Sequence, residues 1–157
     1  MNTATSARLT VTEEFAYRAC LQAPVEFGSG PFGTRIFFGF DGGRVEGERI
    51  KADVLASGGD WILVGPDGMG RIDVRGQWRT DDGAAIYVHY TGLVEMNEAV
   101  GTALATGGST HFDDQYLRMV PHFETGDERY SWLHRTMFVG RGRIADGAAA
   151  FTVFRVD

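Results

Sequence analysis

GRIDVRGQWRT (70–80), DDG (81–83) and AAIYVHYTGLV (84–94) read together as a β-hairpin, and this stretch decides the fold. In the first run Ile72, Val74, Gly76 and Trp78 alternate with Asp73, Arg75, Gln77 and Arg79. In the second, Ile86, Val88 and Tyr90 alternate with Ala85, Tyr87, His89 and Thr91. A period of two is the mark of a strand with two unlike faces. The turn sets the register, and a slip of one residue would flip every side chain. A three-residue loop, with Gly83 in the left-handed position beside a G1 bulge, sets Arg75 against His89 and Gln77 against Tyr87. A two-residue Asp82-Gly83 turn would instead set Arg75 against Tyr90 and Trp78 against Tyr87. Turn chemistry favours the three-residue loop.

The same punctuation extends in both directions. Residues 9–21 alternate, with Leu9, Val11, Phe15, Tyr17, Ala19 and Leu21 on one side. Gly28, Gly30, Pro31 and Gly33 mark a loop, 35–40 an aromatic strand, and Asp41-Gly42-Gly43 its end. Residues 44–56 alternate loosely around Gly47, 61–64 form a short strand, and Pro66-Asp67-Gly68 a turn. Within 95–104, Met96, Ala99, Val100, Ala103 and Leu104 follow helical spacing, so one short helix is predicted there. Strands follow at 116–123, 135–144 and 148–156, with a loop and a helical turn at 126–133. About nine short strands separated by turn residues predict an all-β domain, and closure into a barrel of eight to nine antiparallel strands would leave no sticky edge.

The chain has 157 residues, which suits one domain spanning 1–157, with 1–8 as a loose start. Twenty-two glycines suit many tight turns, and eleven phenylalanines suit half-buried pleated surfaces. A net charge of −6 and a single lysine, Lys51, disfavour a nucleic-acid partner, which needs clustered basic residues. The start lacks the charged-then-apolar pattern of a secretion signal, and no apolar run is long enough to span a bilayer. With one cysteine, Cys20, no intrachain disulfide can form, and a reducing, cytoplasmic location is expected without a membrane partner. A homodimer is expected on the general frequency of symmetric pairs.

Three stretches carry a family resemblance: GERIKADVLASGGDW (47–61), IDVRGQWRTDDGAAIYV (72–88) and YLRMVPHFETGDERYSWLHRTMFVG (116–140). Together they resemble the bacterial and fungal family catalogued as domain of unknown function 3237, over nearly the whole chain. The resemblance implies a closed antiparallel barrel, similar in architecture to allene oxide cyclase and dirigent barrels. It implies no settled activity.

The hairpin offers the first candidate chemistry. In the preferred register Asp73, Arg75, Tyr87 and His89 converge on one sheet face. His can titrate near neutral pH, Arg can hold an enolate or carboxylate, Tyr can protonate an oxyanion, and Asp can take a proton or orient the His. The resemblance adds weight, since Asp73-x-Arg75 and Tyr87 fall in its recurring motif. The alternative is that this face is solvated and the Ile72, Val74, Trp78 face is the core. Asp60 and Trp61, after two glycines, could line a cavity mouth, although a core anchor is the commoner role for such a Trp. Phe123, Tyr130 and Trp132 offer aromatic lining, and Arg118 and Glu124 could pair or meet a polar ligand. None of the four histidines forms a close His-x-His or His-x-x-x-His pair, so no metal is expected. The glycine runs match no P-loop or dinucleotide fingerprint, so no nucleotide cofactor is expected.

The expectation is a small-molecule-binding barrel acting as a cofactor-independent acid–base enzyme: an isomerase, cyclase or lyase for a partly aromatic or lactone-like metabolite. The competing expectation is a lipocalin-like carrier of a hydrophobic metabolite. The first requires Asp73 and Arg75 to look inward.

Overall fold

The computed structural model describes residues 7–157. The expected loose start thus falls largely outside the described residues, and only its last two, 7 and 8, are seen, both exposed. Ten strands form one antiparallel sheet: β1 (Val11–Leu21), β2 (Val25–Gly30), β3 (Gly33–Gly47), β4 (Lys51–Val54), β5 (Gly59–Val64), β6 (Met69–Thr80), β7 (Ala85–Glu95), β8 (Leu117–Glu124), β9 (Phe138–Ala145) and β10 (Ala148–Val156). The circuit runs β1, β10, β9, β8, β7, β6 and then β3, with β4 and β5 sharing the position between β6 and β3. Pairing of β1 with β3 closes it, giving an eight-position barrel with two extra strands.

Several readings of the chain change, among them the stretch 44–56, which is divided between the end of β3 and β4. The glycine-rich stretch after residue 24 is not all loop, because β2 pairs with the start of β3 and makes a projecting arm. Residues 35–40 and 44–47 are one long strand, since Asp41-Gly42-Gly43 bends β3 without ending it. The β6–β7 hairpin has the register of the three-residue loop: Arg75 faces His89, Gln77 faces Tyr87, and Gly83 takes φ +97°. The helix, α1 (Glu98–Thr106), starts two to three residues later than its spacing suggests. Asn97 caps it by accepting from the Val100 amide at 3.0 Å, and left-handed Gly107 ends it. A second, 3-10 helix covers Glu128–His134. No helix among the described residues is long and apolar enough to cross a membrane.

The barrel interior has two unlike halves. One is filled by aromatic rings around Trp78, which meets Phe15 at 5.7 Å, Tyr17 at 5.1 Å and Phe123 at 5.2 Å between centroids. Phe138 completes this plug against Phe15 and Phe123. The 3-10 helix is tied to it at the hairpin tip, where the hydroxyls of Tyr130 and Thr80 donate to Asp82 Oδ1 at 2.7 and 2.6 Å. The other half lies at the α1 end. There Val100 and Leu104 reach inward toward Ile72, Val94 and Phe151, and the packing is incomplete.

Candidate functional site

The site begins with Gly58-Gly59, at the start of β5. This strand is wedged between β3 and β6, and the backbone there is too close for side chains. A Cβ on Gly58 would lie 2.1 Å from the Arg75 carbonyl oxygen, and one on Gly59 2.3 Å from that of Phe38. Both glycines also hold positive φ, +74° and +156°. Strand alternation from that point turns Asp60 and Ile62 inward and Trp61 outward. We expect Gly59→Ala to cost roughly 2 kcal/mol or more, read by urea denaturation, because it combines strain with a backbone clash.

Asp60 projects into the incompletely packed half. Its Oδ1 accepts the Asp73 backbone N–H at 3.0 Å, where the β5–β6 ladder is interrupted between Asp60↔Val74 and Leu63↔Arg71. Its second oxygen has no hydrogen-bond partner among the described residues, and the side chain borders a cavity. That cavity, with about 60 Å3 open to the centres of water molecules, is lined chiefly by Phe38, Ile72, Val94, Val100, Leu104 and Phe151. Asp60 and Tyr90 are the polar side chains on its wall. Burial pushes the Asp60 carboxyl up to about 7, against the lowering effect of the Asp73 amide, with a further rise from the Asp73 charge.

Beside it, Tyr17 and Tyr90 bring their hydroxyls within 3.2 Å of each other, both rings buried against Phe151. Burial raises both phenols well above their ordinary range, and the Asp60 charge adds to the rise. Both are therefore neutral donors at physiological pH. When one donates to the other, the second keeps a proton to offer. Leu21, Phe38 and Leu104 line both this cavity and an adjoining surface pocket of about 310 Å3, and so form the partition between cavity and solvent.

The outer hairpin set does not join this site. Asp73, Arg75, Tyr87 and His89 do share a face, but it is the outside of the barrel. Arg75 Nη1 donates to Tyr87 Oη at 2.5 Å, and His89 Nε2 lies 3.4 Å from Asp73 Oδ1. The inward orientation is corrected by a simple balance: closure buries Ile72, Val74, Trp78, Ile86 and Val88, and the alternating charged residues must then face water. The register also sets His89 directly opposite His122, a pairing that no spacing along the chain displays. Among the described residues no group of three or more His, Cys, Asp or Glu could hold a metal.

Nor do the remaining candidates meet one another. Trp61 is 39% exposed and packs on Phe37 at 4.4 Å. Phe123 is in the aromatic plug, and Tyr130 is held by Asp82. Trp132 lies under the Arg49 guanidinium at 3.8 Å. Arg118 packs over Tyr116 on the outside, and Glu124 is exposed there. Only Asp60 of that list reaches the cavity. Tyr17 and Tyr90 lie on the buried faces of β1 and β7, and the sequence reading names neither as a site residue. Their signal was there all the same: a phenol hydroxyl on a buried strand face needs a polar partner.

The family model described as "Protein of unknown function (DUF3237)" matches residues 10–156. UPF0311 protein RPA1785 of Rhodopseudomonas palustris is 33% identical over 108 residues, 69% of this chain and 71% of that protein. UPF0311 protein CA_C3321 of Clostridium acetobutylicum is 30% identical over 128 residues, 81% of each. The crystal structure of RPA1785 superposes with a TM-score of 0.87 at 27% identity, covering 98% of this chain and all of that one. An enzyme from Penicillium herquei shares the fold at a TM-score of 0.74 and 15% identity, over 99% of this chain and all of that one.

Proposed function

The chain belongs to the DUF3237 family, and from the interior of its barrel we propose that it is an acid–base enzyme for a small, largely apolar metabolite. The observation that carries this reading is the Asp60 carboxyl on the wall of an apolar cavity that it shares with Tyr90, whose hydroxyl meets that of Tyr17. A carboxyl that titrates near 7 is matched to taking and returning protons at neutral pH. The neutral phenol of Tyr90 on the same wall supplies a hydrogen bond to an oxygen that gains charge in the transition state. Isomerisation, cyclisation or elimination of a partly aromatic or lactone-like compound needs no more than those two roles. The chain's own side chains then supply the chemistry, without a cofactor. The Penicillium herquei enzyme of the same fold lends support at the level of architecture.

The wall is otherwise hydrocarbon, and this favours a second reading, a carrier for a hydrophobic metabolite. One experiment separates the two. A small-molecule extract is incubated with the wild type or with Asp60→Asn, and the two are compared by liquid chromatography with mass spectrometry, so that isomers of equal mass are separated by retention time. An enzyme of the proposed class converts a compound, and the substitution slows that conversion by roughly 10² or more. A compound that is retained but unchanged by both proteins identifies the carrier. Equal conversion by both removes Asp60 from the chemistry.

A further inference from the structure

Outside the barrel, on the far side of Tyr17 and Phe151 from the cavity, β1, β10 and β9 form a groove of about 290 Å3. Its floor is unusually low for a strand surface. Ala16 pairs with Thr152 and Arg18 with Ala150, so small side chains sit in two successive rows. Ala150 also pairs with Arg143 on its other side. Arg18 and Arg143 therefore flank one alanine from opposite directions, with backbones two ladder spacings, roughly 10 Å, apart. Long side chains can close that gap over the floor.

Neither guanidinium has a carboxylate partner among the described residues. Arg18 donates to the Ala145 carbonyl at 3.4 Å, and Arg143 to the carbonyls of Thr110 at 3.1 Å and Ile144 at 3.4 Å. Each carries five N–H donors, so most of their capacity is unused. By contrast Arg44, at the groove's far side, is saturated by Asp81, Asp53 and Glu46. Three arginines against one carboxylate, Glu46, line the groove, in a chain whose net charge is −6. The remaining wall is the ring of Phe112, with the guanidinium carbons of Arg141 and Arg143 at 5.1 and 5.6 Å from its centroid. The Thr152 hydroxyl has no hydrogen-bond partner among the described residues.

We propose that this groove binds a small organic carboxylate with a flat apolar body. The forked donors of two arginines match a planar carboxylate, and the methyl floor and the Phe112 ring take the face of an aromatic or conjugated body. Inorganic phosphate fits less well. Ladder pairing on β1, β10 and β9 engages the backbone amides, which leaves no amide nest for its remaining oxygens. The site is separate from the Asp60 cavity and stands or falls without it.

Sodium benzoate is the probe, followed by shifts of backbone amide resonances. Saturable shifts are expected at Ala16, Ala150 and Thr152, weakening as salt is added. Arg143→Gln should weaken binding roughly tenfold or more, as loss of charge-assisted hydrogen bonds does, with the rest of the spectrum unchanged. Ala150→Leu, which keeps both arginines and fills the floor, should abolish it. Benzamide, the neutral counterpart, should bind at least about tenfold more weakly. The proposal is overturned if benzamide or inorganic phosphate matches benzoate, if either variant binds as the wild type does, or if the shifts cluster around Asp60 instead.

Discussion

Asp60→Asn is expected to make the barrel more stable at pH 8 and to leave it nearly unchanged at pH 4. Burial holds the folded-state carboxyl at about 7 instead of the ordinary 3.8. Between those values the folded protein binds more protons than the unfolded chain, so stability falls as pH rises. Below the lower value both states are protonated and the penalty is absent; above 7 it is fully present. A rise of that size corresponds to at most about 4 kcal/mol, and local relaxation around a partly buried residue will reduce it. Asparagine can still accept the Asp73 amide, so the hydrogen bond at 3.0 Å survives while the charge is lost. At roughly 2–4 °C per kcal/mol for a chain of this length, the melting temperature at pH 8 should rise by several degrees. Thermal melts of both proteins from pH 4 to pH 8 decide it, and parallel curves would remove Asp60 as a strained, titrating group. A residue that destabilises its own fold at neutral pH is the pattern expected of a functional group.

Trp78→Ala is expected to cost about 3–5 kcal/mol, the range for removing a large ring from a closed core. Trp78 is among the largest fully buried side chains, and Phe15, Tyr17 and Phe123 all lean on it. The strands around it are closed into a circuit, so the hole cannot be collapsed by moving one element. Urea denaturation at pH 7 measures the loss. A loss below about 1 kcal/mol would mean that this half of the barrel repacks freely, contrary to the dense ring contacts seen there.

These two results test the two halves of the barrel, one filled and one left open, and the sequence anticipates them unequally. Trp78 was legible as core only as the alternative to an inward Asp73–Arg75 face, because β6 alternates without a break and places it with Ile72 and Val74. Asp60 was legible only as a neighbour of Trp61. Judged by residue type, the tryptophan belongs inside and the aspartate outside, and the structure has them the other way round. The cause lies before them: Gly58-Gly59 lets β5 press against the Arg75 and Phe38 carbonyls, and that seating sets which face of the short strand looks in. The outer hairpin set failed for the converse reason. Its four residues were grouped correctly by register, yet grouping does not say which side of a sheet becomes the inside of a barrel.

What the sequence by itself determined is what local rules carry: strands from the period of two, the hairpin register from its glycine turn, one short helix from its apolar spacing, and the family from its motifs. The tertiary structure alone decided which face is enclosed, that Tyr17 and Tyr90 meet across 73 residues of chain, that α1 roofs a cavity, and that Arg18 and Arg143 share one alanine. The physical reason is range. Alternation and turn geometry act over a few residues, whereas inside and outside, and every pairing of distant side chains, come into being only when the circuit of strands closes.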